Sequence, residues 1–175
     1  MSLPKTTLRR AGPDDADALS VVGTATFLEA YATVIDGSAL VRHCAEKQSV
    51  AAYQAALADP DQKLWLAEAE PGRAPVGYLH LTPPDLPIEI RAGDLEIKRI
   101  YVLATLQRAG LGRLLLNQAA LYARENKARR ILLGVYKKNE RALAFYDRVG
   151  FERVGERSFD VGGVVYSDWV LAKRL

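Results

Sequence analysis

Cysteine is almost absent from this chain of 175 residues: Cys44 stands alone, so no disulfide can close within it. That usage fits a reducing compartment, and a cytoplasmic location is expected. Histidine is nearly as scarce, with only His43 and His80. Without paired cysteines beside them, the ligand sets of a zinc site are missing, and no metal is expected. No stretch is long and apolar enough to span a bilayer, and residues 1–10 lack the apolar core of a signal peptide, so no membrane partner is expected. Charge of one sign is not in large excess. The net value of +3, with a pI of about 9.0, suits a small anionic ligand but does not argue for nucleic acid, and no basic run with interleaved aromatics occurs. Repeats, low-complexity tracts and interdomain linkers are also missing. What remains is 49% hydrophobic and 26% charged, the composition of a globular chain whose length suits one domain over 1–175.

The order of elements follows from periodicity and turn residues. Residues 6–10 read as a first strand. Pro13 and the pair Asp14-Asp15 start a helix that runs to about Ala32. A second helical region spans 38–58, with a break expected near Gln48-Ser49, where Ser49 can cap a new start. Strands follow at 63–68 and 76–81, joined by a turn at Pro71-Gly72-Arg73. Pro83, Pro84 and Pro87 mark an irregular loop before a strand opening at Leu95. Residues 130–136 form a fifth strand, and 139–149 a short helix stopped by Gly150. Strands at 152–159 and 164–171 close the chain across Gly162-Gly163. The expectation is an α/β (α+β) fold: a mixed, mostly antiparallel, seven-stranded sheet with helices on both faces.

Residues 95–112, LEIKRIYVLATLQRAGLG, carry the most information. A strand with the β-formers Ile97, Ile100, Tyr101 and Val102 runs into Gln107, Arg108, Ala109, Gly110, Leu111 and Gly112, which open a helix. Helix starts leave backbone N–H groups unpaired, and the helix dipole adds partial positive charge, so this turn suits a pyrophosphate. Gly110 and Gly112 let a ligand approach the backbone with no β-carbon in the way. Leu111, Leu114, Leu115 and Tyr122 are expected near one face of the helix. A dinucleotide fingerprint fits poorly, since Leu115 stands where a third small residue belongs, and the nucleoside-triphosphate loop fails because Gly112 is followed by Arg113-Leu114.

A second motif runs from Asn139 through Ala142, Phe145 and Tyr146 to Gly150-Phe151. With this pair of motifs, in this order, the chain resembles the GNAT superfamily of acetyl-CoA-dependent N-acetyltransferases. The resemblance implies a sheet splayed between its fourth and fifth strands, with acetyl-CoA as co-substrate in the gap. Its pantetheine would pair with the backbone of Ile100, Tyr101 and Val102, and its pyrophosphate would sit on the amides of residues 107–112. Arg108, Lys137 or Lys138 could add charge there, though each also reads as a solvated surface residue. Asn139 matches a cofactor-contacting position and also reads as a helix N-cap; Tyr146 matches the frequent general acid and also reads as a core aromatic.

The reaction so implied is attack of a neutral amine on a thioester. An alkylammonium titrates near ~10.4, so at pH 7 about one molecule in a few thousand is free base, and a general base or water relay helps. Glu96 is the candidate base that the resemblance implies, since it lies eleven residues before Gln107, as the catalytic glutamate does in the histone-acetyltransferase branch of the superfamily. Strand alternation sets it on the face of Lys98 and Ile100, opposite Leu95, Ile97 and Tyr101; a bulge typical of the superfamily would change that facing, and a plain ion pair with Lys98 is the other reading. Phe27, Tyr31 and the closing segment are similar to bacterial polyamine (spermidine-type) acetyltransferases. That similarity points to a polycation held by Glu29, Asp36, Asp85 and Glu89, with Tyr31, Tyr78 and His80 lining the acceptor cleft; solvated surface acids and core packing are the other readings of these residues. A protein N-terminus or lysine, or another small amine, is a competing acceptor. A non-catalytic acetyl-CoA-binding module and a nicotinamide-binding oxidoreductase are the readings from other classes. Homodimers are common in the superfamily, but no residue here marks an interface.

Overall fold

The computed structural model describes residues 4–175, apart from the side chain of Arg108. Strand β1 (Thr6–Arg10) leads through a 3-10 turn at Pro13–Asp15 into α1 (Ala16–Tyr31). The second helical region is indeed two helices, α2 (Gly37–Lys47) and α3 (Val50–Ala58). Asp36 caps the first, accepting from the backbone N–H of Ser38 and Ala39. Ser49 caps the second, accepting from Ala52 at 3.2 Å. Strands β2 (Lys63–Ala69), β3 (Ala74–Thr82) and β4 (Asp94–Val102) follow, then α4 (Leu111–Glu125), β5 (Arg130–Tyr136), α5 (Glu140–Arg148), β6 (Glu152–Val161) and β7 (Val164–Arg174).

The seven strands form one sheet in the order β1-β2-β3-β4-β5-β7-β6. Every neighbouring pair is antiparallel except β4 and β5. That parallel pair is short: Asp94, Leu95, Glu96 and Ile97 match Arg130, Ile131, Leu132 and Leu133, and then the strands part. Beyond Ile97 the edge of β4 that faces β5 has no strand partner.

Alternation along β2 and β3 builds two cores. Trp65, Ala67, Leu79 and Leu81 face α4, where Leu111, Leu115, Leu116, Ala119 and Ala123 form the buried stripe. Leu64, Leu66 and Tyr78 face α1 and α3. Each fully buried leucine stabilises the fold by about 1.5–3 kcal/mol. Leu114, expected on the inner face of α4, is 41% exposed, because it sits about 100° around the helix from Leu115.

One irregularity in β4 matters for function. His80 pairs with Arg99, but Leu81 pairs with Ile97, which leaves Lys98 as an extra residue, a β-bulge. The bulge reverses the alternation. Ile97 and Ile100 now share the α4 face, while Tyr101 joins the α1 side against Tyr78. The expected facing, with Ile100 beside Glu96 and Tyr101 opposite, is therefore corrected.

Candidate active site

Where β4 and β5 part, a cleft of about 600 Å³ opens toward α4 and α5. Ile100, Tyr101, Val102, Gln107, Gly110, Gly112, Asn139 and Tyr146 line it, so most of the expected cofactor-side residues come together there. The helix start is not the continuous turn anticipated. Residues Ala104–Ala109 form a 3-10 turn, and Gly110, at φ +76°, breaks it and serves as N-cap of α4. Among the described residues no side chain caps α4, so its first N–H groups remain available to a ligand. A β-carbon at Gly110 or Gly112 would meet nothing within 4 Å. Among the described residues nothing crowds either glycine, and both line the cleft. Leu111 is instead buried in the core, Ala109 sits in the 3-10 turn outside the cleft lining, and the Arg108 side chain lies outside the described residues.

Charge on the cleft comes from residues the sequence did not single out. Arg113, Arg141 and Arg148 line it, and none forms an ion pair among the described residues. Lys137, in contrast, is held by Glu156 at 2.5 Å over the Trp169 ring, and Lys138 is exposed. Asn139 caps α5 by accepting from Ala142 N–H at 3.1 Å while lining the cleft, so its two readings coexist. Tyr146 is the one buried residue of α5 and packs edge-on against Phe145 and Phe151. Burial holds its phenol well above the ordinary tyrosine value, so it stays protonated at neutral pH.

A second cavity, of about 320 Å³, lies on the other face, between α1, α2 and the strands β4 to β7. Tyr31, Lys98, Arg99, Tyr101 and Gly134 line both spaces, so the two meet at the splay. The Tyr31 and Tyr101 hydroxyls stand 3.4 Å apart there. Aromatic rings form much of the wall: Phe27 stacks on His43 at 4.4 Å, and Tyr136 meets Tyr166 edge-on.

Two of the expected acceptor-side residues lie elsewhere. Tyr78 is fully buried in the α1/α3 core, edge-on to Tyr53. His80 is buried behind β2, its Nε2 2.7 Å from Gln62 Oε1, and burial, reinforced by Arg99 and Lys98, pushes its pKa down to about 3. Neither lines either of these two cavities. Glu96 is also enclosed, at 1% exposure. The loop after β3 closes over it, and Asp85 N–H donates to its Oε2 at 2.7 Å. Its Oε1 lies 3.5 Å from Lys98 and 4.0 Å from Arg157, without a hydrogen bond. This is the ion-pair geometry, out of contact with both cavities.

The acid that does line the second cavity is Asp168, on β7. Arg157 donates from Nε and approaches with Nη2, both 3.0 Å from Asp168 Oδ2. Burial raises the Asp168 carboxyl above its ordinary value, against the pull of Arg157. The Arg157 guanidinium lies over Gly134 of β5, where any β-carbon would collide with it. The sequence held a signal for Asp168: it is in phase with the buried Val170 and Ala172 of the same strand. The other acids expected around the cleft do not reach it. Glu29 accepts from Ala104 N–H at 2.8 Å, Asp36 caps α2, Asp85 contributes its backbone to Glu96, and Glu89 lies beside Arg91.

This architecture, a sheet parted beside an uncapped helix start, coincides with a match of residues 28–151 to the acetyltransferase (GNAT) family. The chain belongs to this family. It is an N-acetyltransferase by that membership. An uncharacterized N-acetyltransferase of Mycobacterium tuberculosis is 30% identical over 161 residues, covering 92% of this chain and 98% of the relative. The PaiA N-acetyltransferase of Thermoplasma acidophilum, solved with coenzyme A, shares the fold with a TM-score of 0.78 at 19% identity, over 98% of this chain and 99% of that one. A GNAT-family acetyltransferase of Staphylococcus aureus gives 0.74 at 15% identity, over 98% and 99%. Among the described residues, no helix is long and apolar enough to cross a membrane.

Proposed function

We propose that the protein transfers the acetyl group of acetyl-CoA directly to a primary amine, with the donor in the α4/α5 cleft and the acceptor in the aromatic cavity. The observation that carries this reading is the pair Gly110 and Gly112, whose absent β-carbons leave open space beside the uncapped start of α4. Amides at the head of α4 would hold a pyrophosphate, and Arg113, Arg141 and Arg148 would neutralise the remaining phosphates. The unpartnered edge of β4 at residues 98–102 would accept an extended chain as an added strand. Bound acetyl-CoA supplies an activated acyl thioester.

The protein's own part is proton handling and positioning. Asp168 is the better-supported proton acceptor, because it lines the acceptor cavity and its burial makes it more basic, whereas Glu96 is sealed behind the loop. Arg157 then orients Asp168, and Glu96 helps to hold Arg157 and Lys98. Tyr146, kept protonated, offers an O–H to a leaving sulfur. A thiol near pKa ~8.5 is more acidic than this phenol, so Tyr146 donates a hydrogen bond, and the neutralising proton originates on the amine. A polyamine gains no support from the cavity, whose acids are outnumbered by Lys47, Lys98, Arg99 and Arg157. Thiol release from acetyl-CoA, measured with spermidine, diamines, amino acids and short peptides, tests the reading. Amine-dependent release supports it; failure to bind acetyl-CoA by calorimetry overturns it.

A further inference from the structure

The second cavity carries more positive charge than its own acids can balance. Of its four cationic side chains, Arg157 is taken up by Asp168 and Glu96, and Lys98 by Glu96. Asp160 is exposed at the rim and accepts from Gly163 N–H at 3.1 Å. Arg99 and Lys47 have no acidic partner within 4.0 Å among the described residues. The bulge at Lys98 is what turns Arg99 to this side, where its guanidinium stands 5.6 Å from the Tyr53 ring. Its field is felt by the neighbouring ring of His43, whose pKa falls to about 4, first through burial and then through Arg99 and Lys47. A half-buried guanidinium with no counter-charge is poised for a planar anion.

We infer that the acceptor is a dipolar amine: a compact apolar body bearing a carboxylate or phosphate that Arg99 receives, with its ammonium drawn to Asp168. This rests on the acetyltransferase reading above, which makes this cavity the acceptor side. The spacing suits a small molecule. Arg99 is on β4 and Asp168 on β7, with β5 between them, so their backbones are at least two strand spacings, about 10 Å, apart, and further where β4 has parted from β5 beyond Ile97. The aromatic wall supplies contact for the body between the charges. A polycation would instead place an ammonium against Arg99.

The test uses matched acceptors that differ in the anion: phenylalanine against phenethylamine, and phosphoethanolamine against ethanolamine, with spermidine beside them. Thiol release gives kcat/KM for the wild type, Arg99→Met and Arg99→Lys, each checked for folding by circular dichroism. One anionic amine should exceed its neutral partner by about ten- to a hundredfold, the range of a charged hydrogen bond. The pair showing the preference tells carboxylate from phosphate. Arg99→Met should shrink that ratio to within about threefold, and Arg99→Lys should keep part of it. Preference for the neutral amine or spermidine, no turnover of either anionic amine, or a ratio that survives Arg99→Met overturns the inference. Acetyl-CoA affinity, measured separately by calorimetry on the wild type, shows whether the donor reading has failed instead.

Discussion

The cleft toward α4 and the cavity toward α2 are built from different materials. The first presents main chain to a ligand, through the unpartnered edge of β4, the N–H groups at the head of α4 and two glycines that stay out of the way, with Arg113, Arg141 and Arg148 around it. The second is made of side chains that come from α1, α2 and four strands. Backbone serves a ligand that is always the same, because main-chain donors cannot be altered by substitution. Side chains serve a ligand that differs between relatives, because each can be exchanged while the sheet stays intact. The contrast supports the proposed division of donor and acceptor between the two spaces.

The largest test of that division is Gly112→Trp. Its β-carbon would point into open space, so the melting temperature should move by no more than about 3 °C, while acetyl-CoA affinity drops by about a hundredfold. Gly110→Ala should do the reverse, costing about 1 kcal/mol of stability through its positive φ with a smaller loss of affinity. Tight acetyl-CoA binding by Gly112→Trp would break the assignment. On the acceptor side, Asp168→Asn should lower kcat by about a hundredfold with donor affinity intact, and Glu96→Gln should lower it less. The opposite ranking would return the base to Glu96. Tyr146→Phe, at the junction, should slow kcat by about tenfold; a wild-type rate across the pH range would remove Tyr146 from the chemistry.

A further expected effect concerns stability and not the reaction. His43 and His80 are buried with pKa values of about 4 and about 3, below the unfolded value near ~6.5. As pH falls below ~6.5 the unfolded chain takes up their protons first, so stability present above that pH is lost on the way down to pH 4 and 3. Each histidine contributes a slope approaching ~1.4 kcal/mol per pH unit. Denaturant melts between pH 6.5 and 4.5 should show this, and His80→Leu should make the slope shallower; an unchanged slope would show that His80 titrates normally.

The same division explains what could be read from the sequence. Elements and main-chain features are local, so the break at Gln48-Ser49, the capping by Asn139 and the glycines at 110 and 112 were legible from short stretches. The cavity toward α2 was not. Arg99, Arg157 and Asp168 are separated by as many as sixty-nine residues and meet only through the β4-β5-β7-β6 order. The bulge at Lys98 defeated strict alternation, exchanging the faces of Ile100 and Tyr101. Glu96 had the spacing of a base, but the loop that covers it is set by long-range packing, which no spacing encodes. Tyr78 and His80 share the α1-side face of β3 but stand too deep in the core to reach the cavity.

The parting of β4 from β5 also has a thermodynamic side. Inside most sheets the main chain is saturated by neighbouring strands, whereas here a run of peptide groups is left to water in the middle of the fold. A molecule that saturates them recognises the folded chain and not the unfolded one. Resistance to unfolding therefore rises with the logarithm of its concentration, by about 2.7 kcal/mol at a hundred times Kd. On the proposed reading that molecule is acetyl-CoA, and resistance to unfolding becomes a gauge of its concentration.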